Sequence, residues 1–408
     1  MNAARWRVAS LEEVCEPPQY GYTASAEDKG NVRFLRITDI TESGVKWPAV
    51  PFCECPSDLL PKYQLASGDI VFARIGATTG KSYLITNPPS SVFASYLIRV
   101  RCKSEIDPAF LSMFFRSNDY WRQVDAQKDT NLKKGVNGSI LKTLRVPLPP
   151  LPEQRKIAGV LGVVQRAMEQ QERLLALTAE LKKALLHQLF TAGLRGEPQK
   201  ETEIGLVPES WEVKRLEEVA LIIMGQSPDG DSYNVDGTGV PLINGPVEFG
   251  PNPLSKTLEA KFTTRPTKCC EQGDLILCVR GSTTGRTNIA KGRACIGRGV
   301  AAIRATGNQE YLNQFVASIR GRIYAMGTGT TFPNVSGSQI REILVAVPPL
   351  KVQSEIGSIL ASIDHKHELL ERKHASLTAL FRTLLHQLMT AELRVRDLDP
   401  PLLSDSTE

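Results

Sequence analysis

GDIVFARIGATTGK begins at Gly68, and GDLILCVRGSTTGR begins at Gly273. The two stretches lie 205 positions apart and share a Gly-Asp start, an apolar run and a TTG turn. At the same offset, WRVASLEEV at Trp6 is answered by WEVKRLEEV at Trp211. Farther along the offset is 199: LPPLPEQ at Leu148 matches VPPLKVQ at Val347, and LLHQLFTAGLR at Leu185 matches LLHQLMTAELR at Leu384. The second copy is therefore six residues shorter, and the loss falls between Gly285 and Val347. A duplication of this size makes two units of about 200 residues, each large enough for its own core. Two copies in one chain act as a built-in dimer that can grip a quasi-symmetric target through two different half-sites.

Each copy has two parts. The first is a body with short apolar runs bounded by Gly and polar residues. DIVFARI (69–75), SYLIRVR (95–101), DLILCVR (274–280) and GVAAIRA (299–305) read as strands. FLSMFFRSNDYWRQV (110–124) and YLNQFVASIRGRIYAM (311–326) carry helical spacing. No strict βαβ rhythm appears, so the body is α+β. The second part, after Pro150 and Pro349, is a long amphipathic helix. Ile356, Ile363, Leu370, Leu377 and Leu384 fall seven apart, as do Leu161, Met168, Leu175 and Leu189, with Lys182 interrupting. Such heptads predict coiled-coil packing, and residues 152–190 as one helix span roughly 57 Å at ~1.5 Å per residue. The two helices are expected to pack antiparallel and hold the bodies apart. The predicted organisation is a body at 1–150, a helix at 151–195, a second body at 196–348 with a linker at 196–205, a helix at 349–393, and a flexible tail at 394–408.

The 408 residues are 41% hydrophobic and 23% charged, an ordinary globular composition. Apolar runs are too short to predict a membrane span, and MNAARWRVAS lacks the core of a signal peptide. The eight cysteines include no CxxC pair and do not cluster with the five histidines. The expectation is reduced cytoplasmic thiols with no metal site.

Two stretches imitate catalytic motifs. Gly76-Ala-Thr-Thr-Gly80-Lys81-Ser82 is one residue short of a nucleotide loop, whose four intervening residues let successive N–H groups wrap the phosphates. The second copy has Arg286 where Lys81 stands, so a strand-to-strand turn is expected. Asn87-Pro88-Pro89-Ser90 resembles the tetrapeptide of amino-group DNA methyltransferases but has serine where the base-stacking aromatic belongs. His187 and His386 sit at equivalent positions beside the helical seam. No catalytic constellation emerges, and none is expected.

Charge distribution points to nucleic acid. Net charge is +5; residues 1–150 carry +4, 204–348 carry +2 and 349–408 carry −2, with the remaining +1 between the first two. Ile70–Ser104 and Leu275–Gln309 contain no acid, where about four would be expected in each at the overall frequency. The first window holds Arg74, Lys81, Arg99, Arg101 and Lys103; the second holds Arg280, Arg286, Lys291, Arg293, Arg298 and Arg304. Such windows suit phosphate contact, unless acids lie nearby in space. A second loop, KDTNLKKGVNGSILKTLR (128–145), is also basic, while its counterpart GTGTTFPNVSGSQIREI (327–343) trades charge for Thr, Asn and Ser. Polar side chains read base edges while lysines hold phosphates. The expected DNA-contacting residues are Arg74, Thr78, Thr79, Lys81, Lys133, Lys134 and Asn137 in the first copy. In the second they are Arg280, Thr283, Thr284, Arg286, Thr330, Asn334 and Ser336.

The combination resembles the specificity (S) subunit of type I restriction-modification enzymes over essentially the whole length. The resemblance is carried by PLPPLPEQRKIAGVL (147–161) and VPPLKVQSEIGSIL (347–360), by IGLVPESWEVKRLEEV (204–219) and GQSPDGDSYN (225–234), by the two TTG segments and by the two helix ends. It implies two target-recognition domains separated by two long antiparallel coiled-coil helices, related as a pseudo-two-fold internal repeat. It further implies a bipartite, asymmetric double-stranded DNA site, docking of two methylation (M) subunits, and restriction (R) subunits as further partners. The chain itself would hold no cofactor. S-adenosylmethionine, Mg²⁺ and ATP belong to the partner subunits, and adenine N6 methylation is their chemistry. One departure is Lys351-Val352-Gln353, where Glu153-Gln154 stands in the first copy, and it bears on the local contact at the start of the second helix. Alternatives from other classes are a stand-alone DNA methyltransferase, which would transfer methyl groups alone, and a coiled-coil scaffold, whose complexes would bind DNA independently of Arg280 and Arg286. A further alternative is a solitary relic that no longer assembles.

Overall fold

The computed structural model describes residues 6–41, 44–131, 135–327 and 333–398, with the backbone alone at 128–131. The chain forms two compact units, Met1–Arg173 with Glu371–Glu408, and Leu174–Leu370. The units cut across chain order, because each takes one body and a half of both long helices.

The bodies share a frame. In the first unit a four-stranded antiparallel sheet runs Gln19–Tyr20, Leu97–Val100, Ile70–Ala73, Ser82–Leu84. In the second the order is Ala220–Met224, Val300–Ala305, Leu275–Cys278, Thr287–Ile289. The central strands Ile70–Ala73 and Leu275–Cys278 are buried at every position, as their unbroken apolar runs require. The bodies diverge in a second sheet. The first unit has three strands, Phe52–Cys53, Val32–Leu35 and Ser91–Phe93; the second has five, from Tyr233–Asn234 to Cys269–Cys270.

The predicted body helices each break once. Residues 110–124 divide into Pro108–Phe114 and Asn118–Asn131, and 311–326 into Gln309–Ser318 and Arg320–Met326. At the first break Ser117 turns its hydroxyl to accept the Tyr120 N–H at 3.3 Å, which starts a new helix.

The long helices run Leu151–Thr191 and Leu350–Met389. In the first unit Ile157 and Leu161 from the start of one share a core with Phe381, Leu385 and Leu388 from the end of the other. In the second unit Leu185, Leu189 and Phe190 from the end of the first share a core with Ile356 and Leu360 from the start of the second. The pairing is thus antiparallel within each unit. Its buried face is broader than the heptad, since Leu360, Phe381 and Leu388 are buried while Ile363, Leu377 and Leu384 are half-buried. Lys182, which interrupts the seam, pairs with Asp364, whose other oxygen accepts from Gln314 Nε2 at 2.6 Å. Each helix starts on one glutamine. Gln154 accepts from Asp107 N at 2.7 Å and donates to Glu105 O and Pro149 O at 3.0 and 2.9 Å. Gln353 accepts from Asn308 N at 3.1 Å and donates to Pro348 O at 2.9 Å.

The departure at Val352 has a structural consequence. In the first unit Glu153 accepts from the Trp6 indole at 3.2 Å and pairs with Arg394 at 3.2 Å. In the second unit Trp211 is fully buried and its Nε1 has no partner among the described residues. Two expectations change. The linker 196–205 carries the hairpin strand Gln199–Thr202, paired with Gly205–Pro208, and the start of the tail is docked by buried Val395. The remainder of the tail, 399–408, lies outside the described residues. All eight cysteines are free thiols.

Candidate nucleic-acid interface

The TTG segments are hairpin turns, as their glycines predict. In the first unit Ala73 N donates to Lys81 O and Gly80 N to Ala73 O, both at 2.9 Å. Thr79 Oγ1 closes the turn onto Gly76 O at 2.6 Å. Gly76 and Gly80 have φ of 85° and 87°, and Gly281 and Gly285 have 83° and 82°, a region L side chains avoid. Tyr120 donates its hydroxyl to Gly80 O, anchoring the turn to a body helix. Asn87, in the stretch resembling a methyltransferase tetrapeptide, has φ 44° and sits in a connection between strands.

In both units the fold brings the turn beside the second predicted loop. Val136 N donates to Arg74 O at 3.0 Å, and the equivalent Val335 N donates to Val279 O at 2.9 Å. In the second unit Gly281 N donates to Pro333 O at 2.9 Å, and Arg280 and Asn334 form a β-bridge. The two segments therefore form one surface per unit. Arg74 lies over the Tyr20 ring, 5.0 Å from its centre, and Tyr20 Oη accepts from Gly138 N at 3.0 Å. Lys81, Arg280, Asn334, Asn137 and Ser336 are exposed, and Thr78, Thr79 and Thr283 are half-buried.

Several of the singled-out side chains hold the surface together. Thr284 is fully buried and donates to Gly281 O at 2.8 Å, so it fastens the turn rather than facing a ligand. Asn137 and Ser336 are N-caps of equivalent short helices, accepting from Ile140 N at 2.9 Å and Gln339 N at 3.2 Å. Arg286 reaches back to donate to Gly250 O at 3.2 Å. Lys133, Lys134 and Thr330 lie outside the described residues.

The acid-free windows are corrected in one respect. Asp69 and Asp274, each immediately before its window, take up part of the positive charge. Arg101 Nε donates to Asp69 Oδ1 and Arg304 Nε to Asp274 Oδ1, both at 2.7 Å, and these bonds raise both guanidinium pKa values. Arg99, nearly fully buried, stands 3.5 Å from Asp69, and Lys291 pairs with Glu259 at 2.7 Å. The windows are thus not uniformly positive faces, and the exposed cations Lys81 and Arg280 lie at the turns. The equivalences also locate the shortening. Asp274 follows Asp69 by 205 positions, Arg304 follows Arg101 by 203, Asn308 follows Asp107 by 201, and Ser336 follows Asn137 by 199. The offset thus falls by two between each successive pair of these equivalences, so the six-residue loss is spread along the second body.

The match to known proteins spans both copies. Residues 4–179 and 208–379 match the type I restriction modification DNA specificity domain. The chain is 30% identical over 411 residues to a Methanocaldococcus jannaschii protein named as the MjaX specificity subunit of a type I restriction enzyme, covering 96% of this chain and 94% of that one. It is 23% identical to the MjaVIII specificity subunit of the same organism, covering 81% and 80%. Among solved structures, the S subunit of a type I restriction-modification system from M. genitalium shares the fold with a TM-score of 0.67 at 16% identity, over 95% of this chain and 97% of that one.

Proposed function

The chain belongs to the type I restriction-modification DNA specificity family, and from that premise we propose that its two units read the two halves of a bipartite, asymmetric DNA site. It is a specificity subunit and not itself a methyltransferase or nuclease. The observation that carries the reading is the repeated surface. The same turn and the same capped helix occur in each unit, bearing Arg74, Lys81 and Asn137 in one and Arg280, Asn334 and Ser336 in the other. An identical frame with different side chains is what two half-sites of different sequence require.

In this reading the long helices set the gap of unspecified bases, placing the half-sites on one DNA face roughly one turn, about 34 Å, apart. They also dock two methylation subunits, which carry S-adenosylmethionine and methylate adenine at N6. Restriction subunits with ATP and Mg²⁺ are further partners. Docking is supported by Leu174, Leu177 and Leu181, exposed leucines spaced three and four apart on one face of the first long helix. No described helix is long and apolar enough to cross a membrane.

The test is a genome-wide map of N6-methyladenine in cells with and without the chain, combined with a few residues inserted after Gly193. A chain-dependent split motif, whose gap changes in the insertion variant while the half-sites persist, is the expected result. An unchanged gap refutes the spacer role, and absence of a chain-dependent motif refutes DNA reading.

A further inference from the structure

A third segment adjoins the turn and loop in each unit. In the first it is Ala94-Ser95-Tyr96, joining strands Ser91–Phe93 and Leu97–Val100; in the second it is Gly297-Arg298-Gly299, joining Ala294–Ile296 and Val300–Ala305. The backbones are equivalent. Leu97 N donates to Ala94 O at 2.8 Å, and Val300 N to Gly297 O at 3.1 Å. Arg74 N donates to Tyr96 O at 3.0 Å, and Val279 N to Gly299 O at 2.9 Å, which fixes each loop to the start of its TTG turn.

The side chains presented there differ in kind. The first unit exposes Tyr96, 57% accessible, near the exposed Ile75 and Tyr20. The second exposes Arg298, with exposed Arg280 immediately after the Val279 that the loop holds.

The loop bearing Arg298 has no slack. A Cβ at Gly297 would lie 2.0 Å from Asn244 Oδ1, and one at Gly299 would lie 2.5 Å from Asn244 O. A Cβ at Gly225 would lie 2.1 Å from Gly297 O. Three glycines thus let three segments press together, and at Gly225 and Gly299 a side chain would run into backbone. Arg298 N is itself held, donating to Ser227 Oγ at 3.2 Å. Neutralising a phosphate asks little of side-chain placement, whereas a bidentate contact to guanine O6 and N7 needs the guanidinium delivered from a fixed Cα.

We propose that Arg298 reads a guanine in the half-site of the second unit, and that in the equivalent loop of the first, where Ser95 stands opposite Arg298, the next residue Tyr96 makes apolar contact to a thymine methyl. The proposal rests on the DNA-reading assignment above and names the chemistry at one position of each half-site.

The test uses the full chain assembled with its methylation subunits. The wild-type motif is read from the methylome, and binding is measured on a duplex carrying that motif. Arg298→Ala is expected to make one guanine of one half-site degenerate and to weaken binding to the motif roughly 5- to 150-fold, leaving the other half-site intact. Tyr96→Ala is expected to relax the other half-site alone. Arg298→Gln, which suits adenine N6 and N7, is expected to shift the same position from guanine toward adenine, a gain that misfolding cannot produce. An unchanged motif with uniform weakening on all sequences and a shallower salt dependence would make Arg298 a phosphate contact and overturn the proposal. A motif indifferent to both Arg298 variants overturns it too, while leaving DNA reading intact. A wild-type chain that directs no motif would instead sink the underlying assignment.

Discussion

Replacing Gln154 by leucine should cost far more than the same change at Gln353, although the two residues occupy the same place in the repeat. Leucine is close to glutamine in size, so the loss is chiefly of hydrogen bonds rather than of packing. Gln154 is fully buried and serves three backbone groups, Asp107 N–H, Glu105 C=O and Pro149 C=O. At about 1 kcal/mol net per bond, and more where a buried group is left unmatched, the change costs about 3–4 kcal/mol. Gln353 is half-buried and serves two groups, Asn308 N–H and Pro348 C=O. Water can replace part of what is lost there, so about 1–2 kcal/mol is expected. Hydrogen exchange read by mass spectrometry separates the two units, which a single melting curve does not. Gln154→Leu should speed exchange in Pro108–Phe114 and the start of the first long helix, and Gln353→Leu should do so more weakly in Gln309–Ser318. Equal losses of protection in the two units would refute the argument that burial and bond count set the cost.

Val352→Glu restores the acceptor that Trp211 lacks and is expected to stabilise the second unit by about 1 kcal/mol, measured by denaturant titration of Trp211 fluorescence in a chain lacking the other tryptophans. Arg304→Ala, which removes a guanidinium already held by Asp274, should leave the salt dependence of DNA binding by the assembled complex unchanged, whereas Arg280→Ala should reduce its slope by about 1. A reduced slope for both would return the whole acid-free window to the DNA contact. Burial pushes the thiols of Cys53, Cys270 and Cys278 up to about 11. They are therefore protonated at pH 8 and closed to solvent, so iodoacetamide should leave all three unmodified in the native protein and modify them after unfolding. Native-state labelling of any of them at pH 8 would contradict the burial.

Signals that act over a few residues were legible in the chain. The TTG glycines announce hairpin turns because positive φ is a local stereochemical demand, met again at Gly281 and Gly285. Pro150 and Pro349 stand immediately before helices that begin at Leu151 and Leu350. Composition along a chain does not report which carboxylate a guanidinium meets, so the charge windows include Arg101 and Arg304, which Asp69 and Asp274 already hold. Asp69 lies outside its window in sequence and against Arg99 and Arg101 in space. Asn137 and Ser336 were legible as polar, but their oxygens are taken up as helix caps, a use that competes with base contact.

The duplication, the strand and turn repertoire and the long helices are all written in local stereochemistry and periodicity along the chain. Tertiary structure alone decided that each body is completed by the end of the helix that begins on the other, through Phe381, Leu385 and Leu388 in one unit and Leu185, Leu189 and Phe190 in the other. It alone decided that three separate loops meet at each turn and that Arg298 stands on a backbone pinned by glycines. Those outcomes depend on apolar burial and hydrogen-bond pairing between residues far apart in the chain, for which a single sequence carries no local mark.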